Sequence, residues 1–69
     1  MMEIKIRDEF IKLGQAMKKA GLSDSGLEAK LMIGDGLVKV NGEVCLERGR
    51  KLHPGDIFET EGRQYKIKV

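Results

Sequence analysis

Between Glu47 and Asp56 the chain reads ERGRKLHPGD, which sets Arg48, Arg50 and Lys51 around Gly49 just ahead of a tight turn. Like charges this dense repel one another unless water or an anion screens them, so the cluster is either a solvated face or a docking point for something acidic. The planar guanidinium forks of Arg48 and Arg50 suit phosphate oxygens, and Gly49 between them lets a backbone approach closely. No other residue set competes for chemistry. His53 stands beside Pro54 with no Ser or Cys nucleophile at a matching place, so it reads as a turn residue and not as a general base. The single Cys45 rules out an internal disulfide, leaves no Cys/His set for zinc, and reads as a small buried hydrophobe. There is no Gly-rich phosphate loop after a strand and no carboxylate pair or triad in a recognisable context. Catalysis is not expected, nor is any cofactor, metal or small-molecule substrate.

The elements that must position these cations belong to a chain of 69 residues. A domain that small buries only about 60% of its unfolded surface, so a single domain spanning 1–69 is expected, held by packing alone. Thirteen basic against eleven acidic side chains leave a formal charge of +2, so any argument for an acidic partner rests on distribution and not on net charge. The apolar runs fall far short of a membrane span and the N-terminal stretch has no apolar signal region, which makes a reducing, cytoplasmic setting the expectation.

Ile4 and Ile6 alternate with charged neighbours, the period of a half-buried strand. Phe10, Leu13, Met17 and Ala20 then recur at helical spacing, with Lys12, Gln15 and Lys19 on the opposite side. The helix begins near Phe10, or near Leu13 if Phe10 and Ile11 continue the extended segment, and Gly21 closes it. Ser25 to Glu28 has the spacing of a capping box, in which Ser25 accepts from the Glu28 amide while the Glu28 carboxylate reaches back to the Ser25 amide. In the helix that follows, Ala29, Met32 and Ile33 form an inward stripe and Gly36 is the stop, leaving Leu27 and Leu31 either covered by a neighbour or open to a partner. Val38 and Val40 lead into Asn41-Gly42, a strong hairpin signal, and a return strand carries Val44. Pro54-Gly55 makes a second turn, Ile57 and Phe58 resume a strand, Gly62 breaks it, and Tyr65, Ile67 and Val69 alternate inward against Lys66 and Lys68. The fold class is α+β: two short antiparallel helices packed on a small, mostly antiparallel sheet of four to five strands.

From Lys12 to Phe58 these pieces resemble the RNA-binding domain named for ribosomal small-subunit protein four, also called the alpha-L motif. KLG at Lys12, SGLEAK at Ser25, VKVNG at Val38 and RKLHPGD at Arg50 fall in that family's order and spacing, and are most similar to its short stand-alone members, the YbcJ and YaaA type. Gly26 and Gly14 stand where the general family pattern has Arg and Asp. The resemblance implies that RNA contacts shift from that missing arginine to Lys12, Lys18, Lys19 and Lys30 on the helices and to Arg48, Arg50 and Lys51 on the sheet side, converging on one face. Gln15 adds an amide for a sugar hydroxyl or base edge.

Phe10 and Phe58 read as core, which leaves Tyr65 as the one aromatic with any freedom and argues against a single-strand reader built on stacking. The expected partner is therefore structured RNA, ribosomal RNA or a ribosomal particle, bound by a monomer through a basic surface, with no membrane involved. The rival reading is a protein-interaction module or homodimer that uses Leu27, Leu31 or a sheet edge.

Overall fold

A computed structural model describes residues 1–69. Strand β1 (Met2–Lys5) and a two-residue strand β2 (Ile11–Lys12) precede helices α1 (Leu13–Lys19) and α2 (Gly26–Gly34). Five further strands follow: β3 (Lys39–Val40), β4 (Glu43–Val44), β5 (Lys51–Leu52), β6 (Ile57–Thr60) and β7 (Arg63–Lys68). The larger sheet has the order β1-β7-β6-β3-β4, in which β1 runs parallel to β7 and the other pairs are antiparallel. Strands β2 and β5 form a separate antiparallel ribbon, with Ile11 opposite Leu52 and Lys12 opposite Lys51.

One face of the large sheet packs on the helices. Ile4, Val40, Phe58, Tyr65 and Ile67 point to it and meet Leu13, Ala16 and Met17 of α1 and Ala29 and Ile33 of α2 in a single apolar core. The Phe58 and Tyr65 rings stack at its centre, 4.9 Å between centroids and 13° from parallel, a geometry favourable beyond the area it buries. Tyr65 is therefore a core residue and offers no stacking platform. Val69 does not alternate inward, because β7 ends at Lys68 and Val69 is exposed. Val44 is also exposed, and Cys45, just past the end of β4, is buried instead.

Helix α1 starts at Leu13, the later of the two boundaries open in the sequence, because Ile11 and Lys12 pair with β5. Ser25 caps α2 by accepting from the Glu28 amide at 3.2 Å. The reciprocal bond from Glu28 is not made, so this is a cap and not a full box. Leu27 and Leu31 are both exposed on the side of α2 away from the core.

At the first hairpin, Asn41 and Gly42 take φ of 50° and 88°, the left-handed pair that a two-residue turn between antiparallel strands requires. Asn41 also reaches the second turn. Its side-chain amide donates to Asp56 at 3.1 Å and its oxygen accepts from the Ile57 amide at 3.0 Å. Asp56 accepts from the His53 amide at 2.7 Å as well, so one carboxylate links two turns. Burial pushes the Asp56 carboxyl up, but the His53 and Asn41 hydrogen bonds and the charges of His53 and Arg50 outweigh it and hold the pKa below its ordinary value.

Candidate nucleic-acid interface

The β2–β5 ribbon delivers the basic cluster to the start of α1. Past the ribbon, the Leu13 amide donates to the Arg50 carbonyl at 2.9 Å and the Gly14 amide to the Arg48 carbonyl at 3.1 Å, so Arg48 to Leu52 is zipped onto Ile11 to Gly14. Gly14 makes that approach possible. A Cβ there would lie 2.7 Å from Cγ of Arg48, closer than two carbons can come without displacement, so the glycine lets the Arg48 stem cross the helix start.

A cleft of about 310 Å³ opens where these parts meet. Lys12, Gly14, Gln15 and Lys18 line it from β2 and α1, Arg48 and Gly49 from the strap before β5, and Gly26 from the first turn of α2. No apolar side chain faces it. Gly26 stands where an arginine was expected from the family pattern, and its lack of a side chain leaves that edge of the cleft open.

The eight residues singled out from the sequence divide into three groups. Lys12, Gln15, Lys18 and Arg48 line the cleft together. Arg50 and Lys51 continue along the strap, where Lys51 lies opposite Lys12 in the ribbon and leans its Nζ over the Phe10 ring, 4.9 Å from the centroid. Lys19 and Lys30 are set apart. Lys19 lines a neighbouring cleft on the far side of α1 and donates to the Lys5 carbonyl. Lys30 is exposed one helical turn beyond Gly26, on the same side of α2. Gln15 is half engaged: its side-chain oxygen accepts from the Lys12 amide at 3.3 Å, capping α1 and leaving its NH2 group to face the cleft.

None of these cations pairs with a carboxylate. The close contacts between basic and acidic side chains are Lys68 with Glu3 and, when its imidazole is protonated, His53 with Asp56. Like charges directly across a ribbon repel, so Lys12 and Lys51 hold an unbalanced field that an anion would relieve. The outer face of β7 has the opposite character, because Glu3 lies beside Lys66 in register and bonds Lys68 at 3.4 Å.

Two residues of this region were not expected from the sequence. Phe10 is only half-buried and stands outside the apolar core, against Lys51 and the His53 ring. Arg7 lines the neighbouring cleft beside Lys18. The helical spacing of Phe10 with Leu13 and Met17 disguised the first. Ile11 pairs with Leu52 across the ribbon, and Phe10 just before it is left outside the core.

Two helices on a mostly antiparallel sheet, with a polar, cationic cleft where helix and ribbon meet, define a binding domain of the alpha-L type. The S4 domain family model matches residues 4–68, and the chain belongs to the S4 domain family. Membership makes it a non-enzymatic binding domain. A curated relative, the probable ribosome maturation protein RlbA of Bacillus subtilis (strain 168), is 46% identical over 59 residues, covering 86% of this chain and 83% of that one. Among solved structures, YbcJ from E. coli superposes with a TM-score of 0.75 at 27% identity, over 100% of this chain and 89% of its own, and is described as having an alpha-L motif involved in RNA-binding. The 30S ribosomal protein S4e from Thermoplasma acidophilum superposes with a TM-score of 0.72 at 30% identity over 87% of this chain, which spans only 32% of that longer protein. No helix is long and apolar enough to cross a membrane.

Proposed function

We propose that this chain binds structured RNA, ribosomal RNA or a ribosomal particle, through the surface formed by α1, the start of α2 and the Arg48–Lys51 strap. The observation that carries the reading is the convergence of Lys12, Lys18 and Arg48 on one polar cleft with no carboxylate partner. Folded RNA presents phosphates at regular spacing and few readable base edges in its deep groove, so a small reader needs fixed cations on a shape-matched surface and no catalytic pocket. The similarity to a ribosome maturation protein and to a ribosomal protein supports the ribosomal target, and with it a cytoplasmic setting. The domain acts as a monomer over residues 1–69 in this reading.

The test is titration of purified ribosomal RNA at several salt concentrations with the wild type and with Arg48, Arg50 and Lys51 all replaced by Ala. The mutant is expected to bind more weakly, and each lost phosphate contact should flatten the plot of log affinity against log salt by roughly one unit. Unchanged affinity and slope would overturn the reading.

A second reading draws on Leu27 and Leu31, which are 66% and 59% exposed on α2. Exposed leucines in pairs are the usual raw material of a protein contact. Sedimentation of the free protein separates the two, since an obligate dimer that ignores RNA would favour the second.

A further inference from the structure

The largest cleft in the molecule, about 720 Å³, lies between the segment Lys5–Ile11 and the outer side of α1, next to the surface proposed above. Its chemistry is mixed. Phe10 and Ile11 give it an apolar wall, Arg7 and Lys18 are unpaired cations at its rim, and Asp8 is its one carboxylate. Lys19 braces the wall by donating to the Lys5 carbonyl. Gln15 and Lys18 line both clefts, so the two are continuous across α1.

A phosphate track alone would have no use for an aromatic ring or a carboxylate. An apolar peptide would have no use for the cations. A nucleotide uses all of them: its base stacks on an aromatic ring, its amino groups or ribose hydroxyl donate to a carboxylate, and its phosphate takes the cations. A cleft of this size is also of the order that holds a small molecule, roughly 300 to 1,000 Å³. We propose that this cleft receives one unpaired nucleotide of the RNA whose helical part lies against the Lys12–Arg48 cleft, with its base against Phe10 and its phosphate at Arg7 and Lys18. The inference rests on the RNA-binding reading and deepens it: the preferred RNA carries a bulged or flanking unpaired base beside a helix.

Two RNA hairpins with identical stems test it, one fully paired and one carrying a single bulged fluorescent adenine analogue. The wild type is expected to bind the bulged hairpin roughly tenfold more tightly, the lower part of the range for stacking one base on an aromatic side chain, and to change the analogue's fluorescence. Phe10→Leu keeps the apolar bulk and loses the stacking face. Its circular dichroism should match the wild type, and its affinities for the two hairpins should become equal. Arg7→Ala should weaken binding to the bulged hairpin more than to the paired one. Equal wild-type affinity for both hairpins, or a preference that survives Phe10→Leu, overturns the nucleotide cleft while leaving RNA binding intact. No salt-dependent binding to either hairpin overturns both readings. A labelled polyglutamate peptide that binds the wild type and is lost in Phe10→Leu would assign the cleft to an acidic protein segment instead, and would overturn the nucleotide reading.

Discussion

Gly14 has space for a hydrogen and nothing larger, because the stem of Arg48 crosses it. An Ala there gains up to about 1 kcal/mol of helix propensity, but pushing Cγ of Arg48 aside costs on the order of 1 to 3 kcal/mol. Gly14→Ala is therefore expected to lose about 1 kcal/mol net and, by displacing Arg48 from the cleft, to flatten the salt dependence of RNA binding by roughly one unit. Thermal melts and salt titrations check the two effects separately. Asp56 makes a different kind of prediction. Its folded pKa is lowered, so its contribution to stability is fully present above the unfolded value and is lost as pH falls through the folded one. Asp56→Ala should cost about 1 kcal/mol at neutral pH, the worth of its exposed hydrogen bonds, and the gap from wild type should close as pH drops below about 4. Denaturant melts across that range measure it, and a gap that stays constant with pH would mean the carboxylate contributes nothing as an ion.

At the scale of elements, α2 depends on Ser25 for its first turn. Ser25→Ala should lower stability by roughly 0.5 to 2 kcal/mol and leave the RNA affinity of the folded protein unchanged, a combination read by melting followed by titration. Affinity that collapses at an unchanged melting temperature would make Ser25 a ligand contact. That cap, the Asn41-Gly42 hairpin, the glycine stops and the alternation of β7 were all legible because each is written within a few neighbouring residues. The β2–β5 ribbon was not. It consists of two residues on each side, about forty positions apart, so no window of sequence contains both halves and no periodicity builds up in either. That omission had a consequence for Phe10, assigned to the core because its pairing context was invisible. It also left the basic cluster without a location: Arg48, Arg50 and Lys51 could be named from their charge, but only the zipping of this strap onto Ile11 to Gly14 sets Arg48 in the cleft with Lys18 and Lys51 opposite Lys12. The same limit explains why Lys19 and Lys30 were grouped with the others, since helix spacing gives the side of a helix but not what lies across from it.

For the whole molecule, the decisive contrast lies between two basic faces. Charge reversal to Glu at Lys12, Lys18 or Arg48 should weaken RNA binding by similar large factors, because each puts a carboxylate into the same uncompensated cleft. Reversal of Lys66 or Lys68 should do much less, since those lysines already sit beside Glu3 on the outer face of the sheet. Titrations of the five single mutants at fixed salt, with circular dichroism to confirm folding, decide between a defined site and diffuse attraction. Equal losses at all five would exclude a site. The pairing of β1 with β7 also constrains how the molecule is made. Met2 lies against Tyr65 and Ile4 against Ile67, so the sheet closes only when the two most distant strands of the chain meet, and closing so long a loop is slow compared with forming local structure. During synthesis the first strand has no partner until the last has left the exit tunnel. The helices and the Asn41-Gly42 hairpin have their local contacts earlier, but Ile4 and Ile6 remain uncovered until β7 has emerged. The domain is thus expected to become protease-resistant only once Lys68 is clear of the tunnel, which a set of stalled nascent chains of increasing length would reveal as an abrupt step.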